Sequence, residues 1–313
     1  MKYKILYFIG FVPHQRGQFY MYISKKLEDL NLIDSFLFSA TTENPKDAEL
    51  IAKLIIERAT GKKVKEISVI SEKQLLGISI NQHGIRMDLY VTEYQDQEIV
   101  KVYDIEPNKY NVKEIPRRSR YNQALTDVKL LSAGDQYENL VDYISIWILT
   151  EDPFGKNRMI YTVQNSVVED SHIVYNDGVK KLFLYVNGEI GGNAQLQNLL
   201  QYFSDSNLVN AVDEDIRQLH EIVKKVKDNC EVEDKYMRFM TYQEFAKFEA
   251  EQEMKKRMEE EIAKAVEAEA TKTGINTLVK TARKFGASDE EIISNLMEEY
   301  KLSEEAAKTY LIS

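Results

Sequence analysis

Ile85-Arg86-Met87-Asp88-Leu89-Tyr90-Val91-Thr92 and Ile99-Val100-Lys101-Val102-Tyr103-Asp104-Ile105-Glu106 are the two segments that decide how this chain folds. The first alternates Met87, Leu89 and Val91 against Arg86, Asp88 and Tyr90, the period of two that marks a strand with one buried face. The second is dense in β-branched and aromatic residues and ends at Pro107, which has no N–H for a sheet ladder. A short hairpin through Glu93–Glu98 pairs them. Because side chains alternate along a strand, Asp104, Glu106 and Asn108 share a face, and pairing brings the carboxylates of the two strands together. Two carboxylates and a main-chain carbonyl form an oxygen-rich site of the kind Mg²⁺ or Mn²⁺ takes. Such an ion polarises a phosphate and acidifies its bound water. The same spacing also describes ordinary acids on the solvent side of a hairpin.

The next segment tips the balance. Lys109, Lys113, Arg117, Arg118 and Arg120 put five cations within twelve residues, directly after the acids. Clustered Lys and Arg hold phosphate backbones, and acids for a metal beside bases for phosphate are what a nuclease needs. The formal net charge of −10 points the other way. Its distribution weakens that objection: residues 231–313 hold 19 acidic and 13 basic side chains, so more than half of the excess lies in the last quarter of the chain.

Working outward, Asn44, Pro45 and the spacing of Ala48, Ile51, Leu54 and Ile55 predict a helix that Gly61 stops. Short strands are expected at 65–70 and 74–80, and a helix from Arg118 that carries Tyr121, Leu125, Val128 and Leu131 until Gly134. Tyr143–Leu149 is a nearly continuous apolar run, as in a strand buried on both faces. Further strands are expected at 159–163 and 181–186, and helices at 194–203 and 213–227. From Glu233 to about Thr273 there is neither Gly nor Pro among many Glu, Lys, Ala and Met, which predicts one long exposed helix. Three short helical stretches follow Gly274. Ser288 and Glu291 form a capping box, and Ile292, Leu296, Leu302 and Leu311 supply a small core.

The chain with 43% hydrophobic residues and five prolines is globular, and its single Cys230 excludes a disulfide framework and a cysteine-built zinc site. No stretch approaches the roughly 18 apolar residues of a membrane span, so no membrane partner is expected and the location is read as cytoplasmic. Met1–Val12 has the look of a signal peptide without its cleavage site, and Met21 is an alternative functional start. Residues 1–24 are therefore read as an N-terminal extension outside the core.

Arg86-Met87-Asp88-Leu89-Tyr90-Val91, Tyr103-Asp104-Ile105-Glu106, Arg118-Ser119-Arg120-Tyr121-Asn122-Gln123 with Asp127 and Leu130, and Asp152-Pro153-Phe154-Gly155 resemble, in that order, the signatures of the PD-(D/E)XK nuclease family transposases, the recombination-promoting nucleases (Rpn). Gly191-Gly192-Asn193 adds to the likeness, which spans roughly residues 25–227. It implies an α/β, restriction-endonuclease-like core with a central mixed sheet flanked by helices over residues 25–230, followed by an α-helical C-terminal extension over 231–313. It implies a Mg²⁺-dependent DNA endonuclease, Mn²⁺ serving as well, linked to recombination or transposition. Asp88 and Glu106 would be the metal ligands, with the Pro107 carbonyl a third. The last position of the (D/E)-x-K element, usually Lys or Gln, is Asn108, which can orient water but supplies no cation. Asn108 and Gln123 complete the catalytic set, and Lys109, Lys113, Arg117, Arg118 and Arg120 would contact DNA. Glu43 or Asp47 could add an acid from the first helix. The alternatives are a decayed DNA-binding or protein-interaction module, and a phage-defence nuclease component. The Met254, Met258, Ile262, Ala265 stripe suggests a homodimer.

Overall fold

In a computed structural model, which describes residues 25–312 except 78, 80, 110, 111, 171 and 174, the acid-bearing hairpin forms: β2 (Ile85–Gln95) pairs antiparallel with β3 (Glu98–Asn108). Both turn residues adopt left-handed backbone, Asp96 at φ 52° and Gln97 at φ 70°, the geometry whose twist matches that of the flanking strands. The signal-like segment and the alternative start at Met21 lie outside the described residues.

A six-stranded mixed sheet is built around this hairpin in the order β1-β2-β3-β4-β6-β5. Here β1 is Glu66–Leu75, β4 Asp142–Leu149, β5 Ile160–Val163 and β6 Val179–Tyr185. Strands β3, β4 and β6 run parallel, and β1 and β5 join antiparallel at the two ends. The central strand β4 is buried from Tyr143 through Leu149, as its unbroken apolar run requires. The two short strands expected at 65–70 and 74–80 are instead one. β1 continues across Ser71–Gln74, where a left-handed Glu72 (φ 51°) lets the backbone turn without losing register with β2.

The helices follow from their caps. α1 (Ser35–Thr41) precedes α2 (Pro45–Thr60), whose Asn44 side chain accepts from the N–H groups of Lys46 and Asp47 and whose end is closed by left-handed Gly61. Helix α3 (Ile115–Leu130) starts three residues before the expected Arg118, because Pro116 is suited to a first turn. Its buried residues Ser119, Asn122 and Thr126 face the sheet. Helices α4 (Ala194–Ser204) and α5 (Glu214–Lys227) are capped by Asn193 and Asp213. Buried Arg58 of α2 ties them together, donating to Asp213 Oδ1 at 2.7 Å, to Asp215 at 3.2 Å and to the Gln195 carbonyl at 2.9 Å.

The chain divides into two compact units, Met1–Arg238 and Phe239–Ser313, and the division falls inside helix α6 (Cys230–Lys284). This helix is longer than expected and runs through Gly274 without a break. A Cβ at Gly274 would lie 2.9 Å from the Tyr300 hydroxyl, so glycine here admits a neighbouring helix rather than ending its own. Among the described residues two short helices follow, α7 (Asp289–Tyr300) and α8 (Glu304–Ile312). The Ser288/Glu291 capping box is present, and Ile292 and Leu296 pack with Ile275, Val279 and Ala307, with Leu302 and Leu311 at the edge. No helix among the described residues is long and apolar enough to cross a membrane.

Candidate active site

Register puts the acids side by side. Leu89 pairs with Ile105 and Tyr90 with Asp104, and one step further the Asp88 N–H donates to Glu106 Oε1 at 3.2 Å. The parallel neighbour β4 sets Ser145 beside Asp104 and Trp147 beside Glu106. Helix α3 closes over this face. Asn122 Nδ2 donates to Asp104 Oδ2 at 3.2 Å, and the Tyr143 hydroxyl donates to the same oxygen at 2.9 Å. Arg118 pairs with Glu106 Oε2 at 2.9 Å and lies 5.1 Å from the centre of the Trp147 ring.

Three carboxylates meet here, and two of them, Asp104 and Glu106, are cut off from water. Asp104 is fully buried and Glu106 nearly so. Burial is the first cause that lifts the pKa of each, and for Glu106 the neighbouring Asp104 and Asp88 charges add to it, against the pull of Arg118. Asp88 is lifted to about 6, again first by burial, with Arg118 and Arg86 opposing and Asp104 and Glu72 reinforcing. Asp104 Oδ1, Ser145 Oγ and Trp147 Nε1 are buried without a protein hydrogen-bond partner, all on this stretch of β3 and β4. The site therefore holds more polar valence than its hydrogen bonds satisfy.

Asp88 opens into a cleft of about 960 Å³ whose walls also include Arg86, Arg117, Arg118, Arg120 and Tyr121, whereas Asp104 and Glu106 are buried and do not line it. Arg117, Arg118 and Arg120 of the basic segment thus line the same cleft as Asp88. The others do not. Lys109 leaves the end of β3 and pairs with Asp34 at 2.6 Å. Lys113 is exposed and does not line the cleft. Gln123 donates to Asp127, one turn along its own helix, at 3.3 Å and also stays out of the cleft wall. Asn108 ends β3, half-buried and in register with Leu149, and Pro107 beside it is buried and in register with Ile148. Glu43 is held by Lys235 at 2.9 Å, and Asp47 sits in the first turn of α2, where it suits the helix dipole.

Two contributors were not foreseen. Arg86 stands in the cleft wall and acts electrostatically on Asp88, a role its place two residues earlier on the strand hinted at. Glu72 also acts on Asp88. It falls between Ser71, which pairs with Leu89, and Lys73, which pairs with Met87, so it lies opposite Asp88 in the ladder.

The donor set is all oxygen, two carboxylates and a carbonyl, which suits a hard divalent cation that keeps most of its waters and needs one or two carboxylates. Asp88, Glu106 and the Pro107 carbonyl are the groups that would hold it. Among the described residues no cluster of three or more His, Cys, Asp or Glu side chains is arranged as a ready-made metal cage. Comparison with protein-family models, with curated proteins and with solved structures gives no match. The likeness to the PD-(D/E)XK transposases thus rests on the residues that carry it.

Proposed function

We propose that the chain is a divalent-metal-dependent DNA endonuclease of the restriction-endonuclease-like type, with Asp88 and Glu106 as its metal ligands. The observation that supports this most is the placing of Asp88 in the wall of an arginine-lined cleft with buried Glu106 directly behind it, the Asp88 N–H lying 3.2 Å from the Glu106 carboxylate. A bound Mg²⁺ or Mn²⁺ supplies charge neutralisation of the acids, polarisation of a phosphodiester and an acidified water. Arg117 and Arg120 hold the phosphate backbone at the mouth of the cleft. Arg118 occupies Glu106 in the free protein and is placed to exchange that carboxylate for a phosphate. Asn108 contributes a hydrogen bond rather than a positive charge, so this site leans on its arginines for the cation that Lys would give. The link to recombination or transposition belongs to the same proposal through the family likeness, and a cytoplasmic location is proposed beside it.

The Arg118–Glu106 ion pair favours one second reading. A guanidinium already neutralising the acid would suit a DNA-binding module that no longer cleaves. Incubating supercoiled plasmid with the wild-type protein in Mg²⁺ and in EDTA separates the two. The nuclease reading expects nicking in Mg²⁺ and none in EDTA, and it is abandoned if binding by gel shift persists while no nicking occurs in Mg²⁺.

A further inference from the structure

Helix α6 leaves Met254, Met258 and Ile262 at 69%, 62% and 56% exposure, three apolar side chains one turn apart on one stripe. The charges around them fall into two blocks, Lys255-Lys256-Arg257 before Met258 and Glu259-Glu260-Glu261 after it. On a helix of 3.6 residues per turn, Lys255 and Glu259 lie on one flank of the stripe and Arg257 and Glu261 on the other.

We propose that this segment is a self-association site, taken by the same segment of a second copy of the chain, running antiparallel and centred on Met258. In that arrangement Met258 meets its own counterpart and Met254 meets Ile262. Residues on one flank of one helix then face the same flank of the other, so Lys255 lies beside Glu259 of the second copy and Arg257 beside its Glu261. The symmetry generates each pair twice. Lys247 falls opposite Glu269 by the same register. A parallel pair in register does the reverse: opposite flanks meet, so Lys255 faces Arg257 and Glu259 faces Glu261, all like charges. Charge order therefore selects the antiparallel pair, and an isologous contact of this kind closes on two copies. Within its own chain Arg257 already contacts Glu253 at 2.5 Å, an exposed pair that contributes little and leaves the stripe itself open. The proposal does not depend on the nuclease reading.

The test uses the full chain in a Cys230→Ser background, because Cys230 is exposed. Met254→Cys and Ile262→Cys are made separately, one carrying a size tag, and oxidised alone and mixed. The antiparallel pair predicts a cross-link between the two variants and none of either with itself. Self-cross-linking of each variant overturns the orientation, and a monomer mass by sedimentation at micromolar concentration overturns the proposal altogether. Lys255→Glu with Arg257→Glu is expected to weaken the dimer at least tenfold, and adding Glu259→Lys with Glu261→Lys to restore it. Failure of that restoration, with the helix intact by circular dichroism, also counts against it.

Discussion

Asp88→Asn is expected to slow Mg²⁺-dependent nicking by about 10³-fold and, in the same protein, to raise the melting temperature by about 3–5 °C. The two effects have one cause. The folded Asp88 has its pKa lifted to about 6 from the ordinary carboxylate value, so between roughly pH 4 and 6 the native state binds more protons than the unfolded one. Stability from this group is therefore greatest at the acid side of that window and is lost as pH rises through about 6. At neutral pH its ionised form opposes folding, by about 1–2 kcal/mol once solvent screening is allowed for. An amide keeps the shape and removes the charge. The gain should shrink at pH 4.5, where wild-type Asp88 is already protonated, and thermal unfolding at the two pH values checks it. A carboxylate destabilised in this way is what the proposed metal-ligand role of Asp88 leads one to expect.

Trp147→Ala is expected to cost about 3–5 kcal/mol and to lower the melting temperature by about 10 °C. Trp147 is fully buried on the central strand β4, the largest side chain with no exposure at all. Its face also seats the Arg118 guanidinium. Trp147→Phe separates the two roles: most of the volume stays, while the stacking surface under Arg118 contracts, so stability falls much less and Arg118 loses its fixed position above Glu106. Differential scanning calorimetry of both variants reads the difference. An alanine variant as stable as the wild type would mean that β4 is not the centre of the core.

How much of this was legible in the residues varies by kind of signal. Strand β2 was readable because alternation survives over eight residues, and β3 because β-branched and aromatic residues crowd it up to Pro107. β4 was readable from its unbroken apolar run, and α2 from Asn44, Pro45 and Gly61. What failed depends on partners distant in sequence. The continuity of β1 is set by pairing with β2, which overrides the local polarity of Ser71–Gln74, and so Glu72 opposite Asp88 was invisible. Gly274 has the composition of a helix end but the environment of a helix contact, which only the position of Tyr300 reveals. The basic segment was read as one block, whereas the end of β3 and the start of α3 send its members apart: Lys109 to Asp34, Arg118 to Glu106, and Arg117 and Arg120 to the cleft. Composition records that cations are present, and the turn between two elements decides which of them reach the acids.

The central claim is that Asp88 and Glu106 jointly bind a divalent cation, and calorimetric titration of Mn²⁺ at pH 6 tests it most directly. Metal binding requires deprotonated ligands, so acids lifted as these are should release protons as the ion binds, and the measured heat should change with the ionisation enthalpy of the buffer. The expected result is one Mn²⁺ per chain with proton release, lost in both Asp88→Asn and Glu106→Gln. Mn²⁺ binding of equal strength in either variant, or no binding by the wild-type protein, would contradict the account.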